Sequence, residues 1–169
     1  TQRIVLCTYK SNPNDLDTLH EAWSELRKLE PEKSNNTETL GLAGAIQKRM
    51  YEISNNIEHA ELAHKMYNKG FIINDDYYTG INAAFMQNVL AKQSTEGDFY
   101  NQLADYTRLN VLKNINGIIQ SGQLYQRSDT QWILQTKAEA EFMLGKTNEY
   151  QKTLIKLEDM DVPFNSASF

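Results

Sequence analysis

The stretch TETLGLAGAIQKRMYEISNNIEHAELAHKMYNKGF, residues 37–71, decides the fold. In its first half Leu40, Ala43, Gly44, Ile46, Met50 and Ile53 recur at three- and four-residue spacing. After Asn55-Asn56 a second stripe runs through Ile57, Ala60, Ala63, Met66 and Tyr67 to Gly70-Phe71. Each stripe is the apolar face of an amphipathic helix. The asparagine pair is a helix stop, and a connection that short makes the two helices an antiparallel hairpin.

The pattern extends in both directions. Upstream, Asn14 or Asp15 is placed to cap a helix carrying Leu16, Leu19, Trp23, Leu26 and Leu29 as far as Pro31. Downstream, Asp75-Asp76 precede a helix with Tyr78, Ile81, Ala84, Phe85, Val89 and Leu90. A longer one from about Phe99 carries Leu103, Tyr106, Leu109, Leu112, Ile115 and Ile119, with Gly122 to stop it. Asp129 opens a last pair, in which Trp132, Ile133, Ala138, Ala140, Phe142, Met143 and Leu144 turn at Gly145 into Tyr150, Leu154, Ile155 and Leu157. The three prolines, Pro13, Pro31 and Pro163, all fall outside these windows. The expectation is a single all-α domain of about seven helices: a leading helix within 1–33, hairpins at 37–74, 78–122 and 129–160, and a frayed tail after Met160.

Small residues repeat at matching places. Gly44, Ala84 and Ala138 each sit midway along the first helix of a hairpin, where a small side chain lets the partner helix approach closely. This is the role of the first-helix glycine in tetratricopeptide repeats. The hairpins scatter around that repeat's period of roughly 34 residues, and its full Trp-x-x-Leu-Gly-x-x-Tyr signature is absent. The reading is a degenerate right-handed solenoid of helical hairpins; a closed helical bundle shows the same stripes and stays open as the alternative.

The composition narrows the function classes. The chain has 169 residues, a formal charge of −5 and 40% apolar residues, enough for one soluble core without staples. An acidic balance argues against nucleic acid, and the lack of a long apolar run argues against a membrane span. Cys7 stands alone, so no internal disulfide forms. No phosphate loop, dinucleotide fingerprint, zinc-protease motif, nucleophile elbow or Cys-x-x-Cys pair is present. Glu61 and His64, three apart, resemble half of a di-iron set, but neither His20 nor His59 supplies the second half. Asp75-Asp76 falls short of a calcium loop and reads as a cap. The expectation is therefore no enzyme, no cofactor and no metal. Asn35-Asn36-Thr37 matches a glycosylation acceptor in a chain without a secretory sign, and the reading is a cytoplasmic protein. A chain that opens at Thr1 in structured sequence is read as a piece of something longer.

Repeat equivalence also points at a binding face. With Gly44, Ala84 and Ala138 aligned, Lys48 and Arg49, Phe85 and Asn88, and Gln135 and Glu139 fall on the first-helix face, which a solenoid leaves accessible. Tyr77 and Tyr78 follow a loop, where one ring packs between hairpins and the other stays exposed; Tyr78 joins the candidate contacts.

At Glu38-Thr39-Leu40, Gly44, Lys69-Gly70-Phe71, and Tyr78 with Gly80-Ile81-Asn82-Ala83-Ala84, the chain resembles the tetratricopeptide-like TRAF-binding domain of apoptosis signal-regulating kinases and its bacterial relatives. The closing hairpin, Trp132 to Gly145, is similar to that family's last pair. In this reading Gly70 ends a helix with Phe71 folding back, Gly80 admits a close backbone approach, and Asn82 is a buried polar residue bonding the preceding loop. The resemblance implies a non-catalytic module that binds a protein or peptide, or itself, and regulates an adjoining signalling or effector domain. The Asn-rich loops suggest a bacterial source. The rival reading is a helical domain that senses a small ligand between hairpins.

Overall fold

A computed structural model describes residues 1–160; the tail after Met160, expected to fray, lies outside the described residues, as does Pro163. Eight α-helices and a 3-10 turn at Leu124–Gln126 make up the regular structure among them. The helices are α1 (Gln2–Ser11), α2 (Leu16–Arg27), α3 (Thr37–Ser54), α4 (Ile57–Asn74), α5 (Tyr77–Ala91), α6 (Gly97–Gln120), α7 (Thr130–Met143) and α8 (Thr147–Glu158).

The segment before Lys33, expected to hold one leading helix, holds two. Pro13 disfavours a helical Asn12, whose backbone has left the helical region (φ −152°, ψ 78°), and Asp15 then restarts the helix by accepting from Thr18 N at 2.8 Å. The result is a fourth hairpin, α1–α2, ahead of α3–α4, α5–α6 and α7–α8. Two connections use the same doublet: Asn55 and Asp75 close α3 and α4 in the left-handed region (φ 53° and 52°). The next residues, Asn56 and Asp76, cap the following helices through side-chain oxygens. Asx residues tolerate that conformation and supply the capping oxygen, so two residues suffice to reverse the chain.

Each hairpin packs on its neighbours in the chain, and α1, α3, α5 and α7 also touch in succession. That is an open stack with the first helices forming one layer, the solenoid rather than the closed bundle. One cluster joins Val5, Leu19, Ala22, Leu26, Leu40, Ile46 and Met66; a second joins Ala60, Ala63 and Tyr67 to Ala83, Met86 and Leu90; a third joins Val111, Ile115, Ile133, Leu134 and Leu157.

Several expectations are corrected. The buried face of α6 runs through Ala104, Thr107, Arg108, Val111, Leu112 and Ile115, not through Tyr106 and Leu109, which are exposed. On α7 and α8, Trp132, Phe142, Met143 and Ile155 are also exposed. Gly70 does not end a helix: α4 continues to Asn74, and Gly70 sits at a crossing where a Cβ would lie 3.0 Å from Thr79 Cγ2. Phe71 does not fold back as a closure but packs from within α4 against the α6–α7–α8 cluster. Asn82 is half-buried and bonds its own helix, Nδ2 donating to Tyr78 O at 2.9 Å, instead of the preceding loop. Asp129 precedes α7 without capping it, because its carboxylate is taken by Arg127 and the Tyr77 hydroxyl.

Candidate functional site

Helix crossings come first, since they aim everything else. Gly44 packs α3 onto α4 so closely that a Cβ would lie 2.8 Å from three ring carbons of the buried Tyr67. Gly80 admits Val111 Cγ2 and the Phe71 ring, 2.5 and 2.7 Å from its notional Cβ. Ala84 and Ala138 are fully buried at the equivalent points.

Three residues after each small side chain stands a buried polar one that bonds the second helix of its hairpin. Gln47 Oε1 shares a hydrogen bond with His59 Nδ1 at 2.8 Å. Gln87 Oε1 accepts from Thr107 Oγ1 at 3.1 Å, with its Nε2 3.3 Å from His64 Nε2. Glu141 accepts from Thr153 Oγ1 at 2.7 Å and pairs with Lys137. Buried polar groups need partners, so this ladder fixes the rotation of each helix pair.

With those rotations set, α3, α5, α6 and α7 bring a polar group together. Lys48 Nζ lies 4.1 Å from the centroid of the Phe85 ring and donates to Asn82 Oδ1 at 3.1 Å. Arg108 is 1% exposed. Its Nη2 donates to Asn88 Oδ1 at 2.6 Å, its Nη1 stands 3.8 Å from the exposed Asp105 carboxylate, and its buried Nε has no hydrogen-bond partner. Asn88 is oriented in turn by donating from Nδ2 to Asn101 Oδ1 at 2.9 Å. Phe85, Asn88, Asn101, Arg108, Glu139 and Met143 line a cleft of about 450 Å³.

Burial pushes the Glu139 carboxyl up to about 7, and the attraction of Lys48 and Arg108 only partly opposes it. Burial also lowers Lys48, against the pull of Glu52 and Glu139. Desolvation therefore outweighs pairing at this cleft, whose charges attract at a distance without closing into tight ion pairs.

Of the sequence-predicted contacts, Phe85, Asn88 and Glu139 line this cleft, and Lys48 stands beside it over the Phe85 ring. Arg49 does not: it pairs with Glu52 at 2.7 Å. Gln135, half-buried one turn before Glu139, is not among the lining residues. Tyr78 lies in a separate groove of about 510 Å³ with Gly41, Tyr77, Arg127 and Asp129, its ring edge-on to Tyr67 at 6.1 Å. Arg108 was not legible as a site residue; the signal was a cation at the centre of the α6 stripe, four residues after Ala104. Cys7 is exposed. Glu61 is exposed while His64 packs edge-on to Tyr100, and among the described residues no three His, Cys, Asp or Glu side chains group as a metal site. No helix among them is long and apolar enough to cross a membrane.

A family model described as TPR-S, Tetratricopeptide Repeats-Sensor, matches residues 1–87. That span holds Lys48 and Phe85, while Arg108 and Glu139 lie beyond it. No curated protein and no solved structure matches the chain.

Proposed function

The chain belongs to the Tetratricopeptide Repeats-Sensor family, and from that premise we propose that it is a non-catalytic regulatory module. It docks a segment of a protein partner, or of a second copy, on its first-helix layer and thereby scaffolds or controls an adjoining signalling or effector domain in the cytoplasm. The observation that carries this reading is the meeting on one cleft of Phe85, Asn88 and Glu139 from two successive hairpins, with Lys48 of the hairpin before them set over the Phe85 ring. Helix-lined grooves bind segments through a few aromatic and basic anchors, and Phe85, Lys48 and Arg108 have that character. The resemblance to the TRAF-binding domain of apoptosis signal-regulating kinases supports a regulatory placement beside an effector, with adaptor-type partners.

The test is partner capture by in-cell cross-linking of the protein. Phe85→Ala and Lys48→Glu should lose the partner that the unaltered protein captures, while Tyr125→Ala, exposed away from the cleft, should keep it. Capture that survives both cleft substitutions would refute the reading. A second reading, small-ligand sensing, is favoured by the unpartnered Arg108 Nε. It predicts a thermal shift with some member of a metabolite panel that the Phe85 variant loses.

A further inference from the structure

Helices α3 and α5 meet in rungs. At one rung α3 supplies a cation, since Lys48 Nζ stands 4.1 Å from the centroid of the Phe85 ring of α5. Seven residues earlier on both helices the rung repeats, because seven residues make almost two full turns and return to the same face. There α5 presents Tyr78 and α3 presents Gly41, whose notional Cβ would lie 3.4 Å from Tyr78 Cε1. With glycine opposite, the Tyr78 ring stays 45% exposed in the groove of about 510 Å³. The charges around that ring are mostly acidic. Glu38, in the first turn of α3, is exposed on the groove and makes no ion pair among the described residues. The Asp76 oxygens accept from Thr79 N and Oγ1, neutral donors that leave its charge uncancelled. Arg127, the cation of the groove, is bound to Asp129 through Nε and Nη2 at 2.8 Å each, and Asp129 also accepts from the Tyr77 hydroxyl. Two carboxylates are therefore left over. The starts of α3 and α5 each offset roughly half a charge, and the wall beside the exposed ring stays negative.

We infer that this groove binds the guanidinium of an arginine carried by a protein segment, stacked on Tyr78 with its N–H groups on Glu38. A planar guanidinium lies flat on an aromatic ring and meets a carboxylate with two parallel hydrogen bonds, which an ammonium cannot do. Asp76 adds attraction from the start of α5, and Leu42 gives the methylene stem an apolar contact. The groove is separate from the cleft at Phe85, so the inference does not depend on what docks there.

The test is a magnetic-resonance titration of the 169-residue chain that follows the backbone amides of Gly41 and Tyr78. The probes are blocked Gly-Arg-Gly, Gly-Lys-Gly and Gly-citrulline-Gly peptides, citrulline keeping the shape of arginine without its charge. The arginine peptide should shift both amides saturably at millimolar concentration and bind about threefold or more tightly than the lysine peptide. Glu38→Gln and Tyr78→Leu should each weaken it about threefold or more. Gly41→Lys, which puts an internal ammonium over Tyr78 as Lys48 lies over Phe85, should abolish binding. Glu61→Gln, an equal change of charge at an exposed residue outside the groove, should leave it unaltered. Should Tyr78→Leu or Gly41→Lys unfold, the comparison of Glu38→Gln with Glu61→Gln decides. No saturable shift at the two amides would overturn the site, and so would equal weakening by Glu38→Gln and Glu61→Gln, which would trace the attraction to the net charge of the chain. Equal binding of the citrulline peptide would overturn the cation, and equal binding of the lysine peptide the guanidinium. Partner capture through Phe85 and Lys48, measured separately, bears on the docking reading alone.

Discussion

Replacing Gly44 by alanine tests the helix crossing on which the site depends. In an unconstrained helix interior the change stabilises by about 1 kcal/mol, because glycine is the weaker helix former. Here the added Cβ would meet three carbons of the Tyr67 ring at 2.8 Å. The ring cannot swing clear, being fully buried and edge-on to Tyr78. Overpacking of that kind costs about 1–3 kcal/mol, and the rigidity of the neighbour places this case in the upper half. The net expectation is a loss of about 1–2 kcal/mol, a fall in melting temperature of about 2–8 °C for a domain of this size. Gly117, in α6, is the internal control: a Cβ there meets nothing within 4 Å. Gly117→Ala should therefore raise the melting temperature by about 2–4 °C. Thermal unfolding followed by circular dichroism reads both. In the Tyr67→Leu background the Gly44→Ala penalty should shrink, since the two residues share one contact. A Gly44→Ala protein as stable as the Gly117→Ala one would refute the close approach of α3 and α4.

Other expectations follow from the same structure. Glu139 is raised to about 7 in the folded state from an ordinary carboxyl value of 4.5. Folding therefore takes up a proton, and stability should fall as pH rises from about 4.5 to 7, by up to about 3 kcal/mol. Glu139→Gln should remove that component, checked as the difference between urea midpoints of the two proteins at pH 5 and pH 8. Gln87→Leu removes a partner of the His64 ring and one acceptor of the Thr107 hydroxyl, which keeps Leu103 O at 2.8 Å, and should cost about 1 kcal/mol by urea denaturation. Asp76→Ala removes the oxygens that accept from Thr79 N and Oγ1 and should cost about 1 kcal/mol, with Asp76→Asn recovering most of it. Arg49→Glu alters only a part-exposed pair with Glu52 and should change stability by less than about 0.5 kcal/mol.

The hairpins were legible because helix periodicity, Asx doublets and small residues are local signals. The stripe from Leu40 to Met50, the reversal at Asn55-Asn56 and the closeness required at Gly44 all follow from chain geometry within a few residues. The α1 helix was hidden because ten residues with one buried side chain, Val5, carry too little periodicity to announce a helix. Gly70 misled because a glycine near a loop resembles a helix stop, whereas its space is claimed by Thr79 of another helix. The candidate cleft was half legible: equal spacing from Gly44, Ala84 and Ala138 singled out Lys48, Phe85, Asn88 and Glu139. The same first-helix reading brought in Arg49 and Gln135, neither of which lines the cleft. Arg108 lies on a helix whose stripe admits two faces, Leu103-Tyr106-Leu109 or Ala104-Thr107-Val111, one residue apart. Only packing against α5 and α7, with Gln87 bonding Thr107, selects the second face and buries the guanidinium beside Asn88. The amino-acid pattern by itself determined that this chain is a stack of helical hairpins. Which side chains share a cleft was decided by helix rotation, which depends on contacts between side chains of different helices and leaves no local trace.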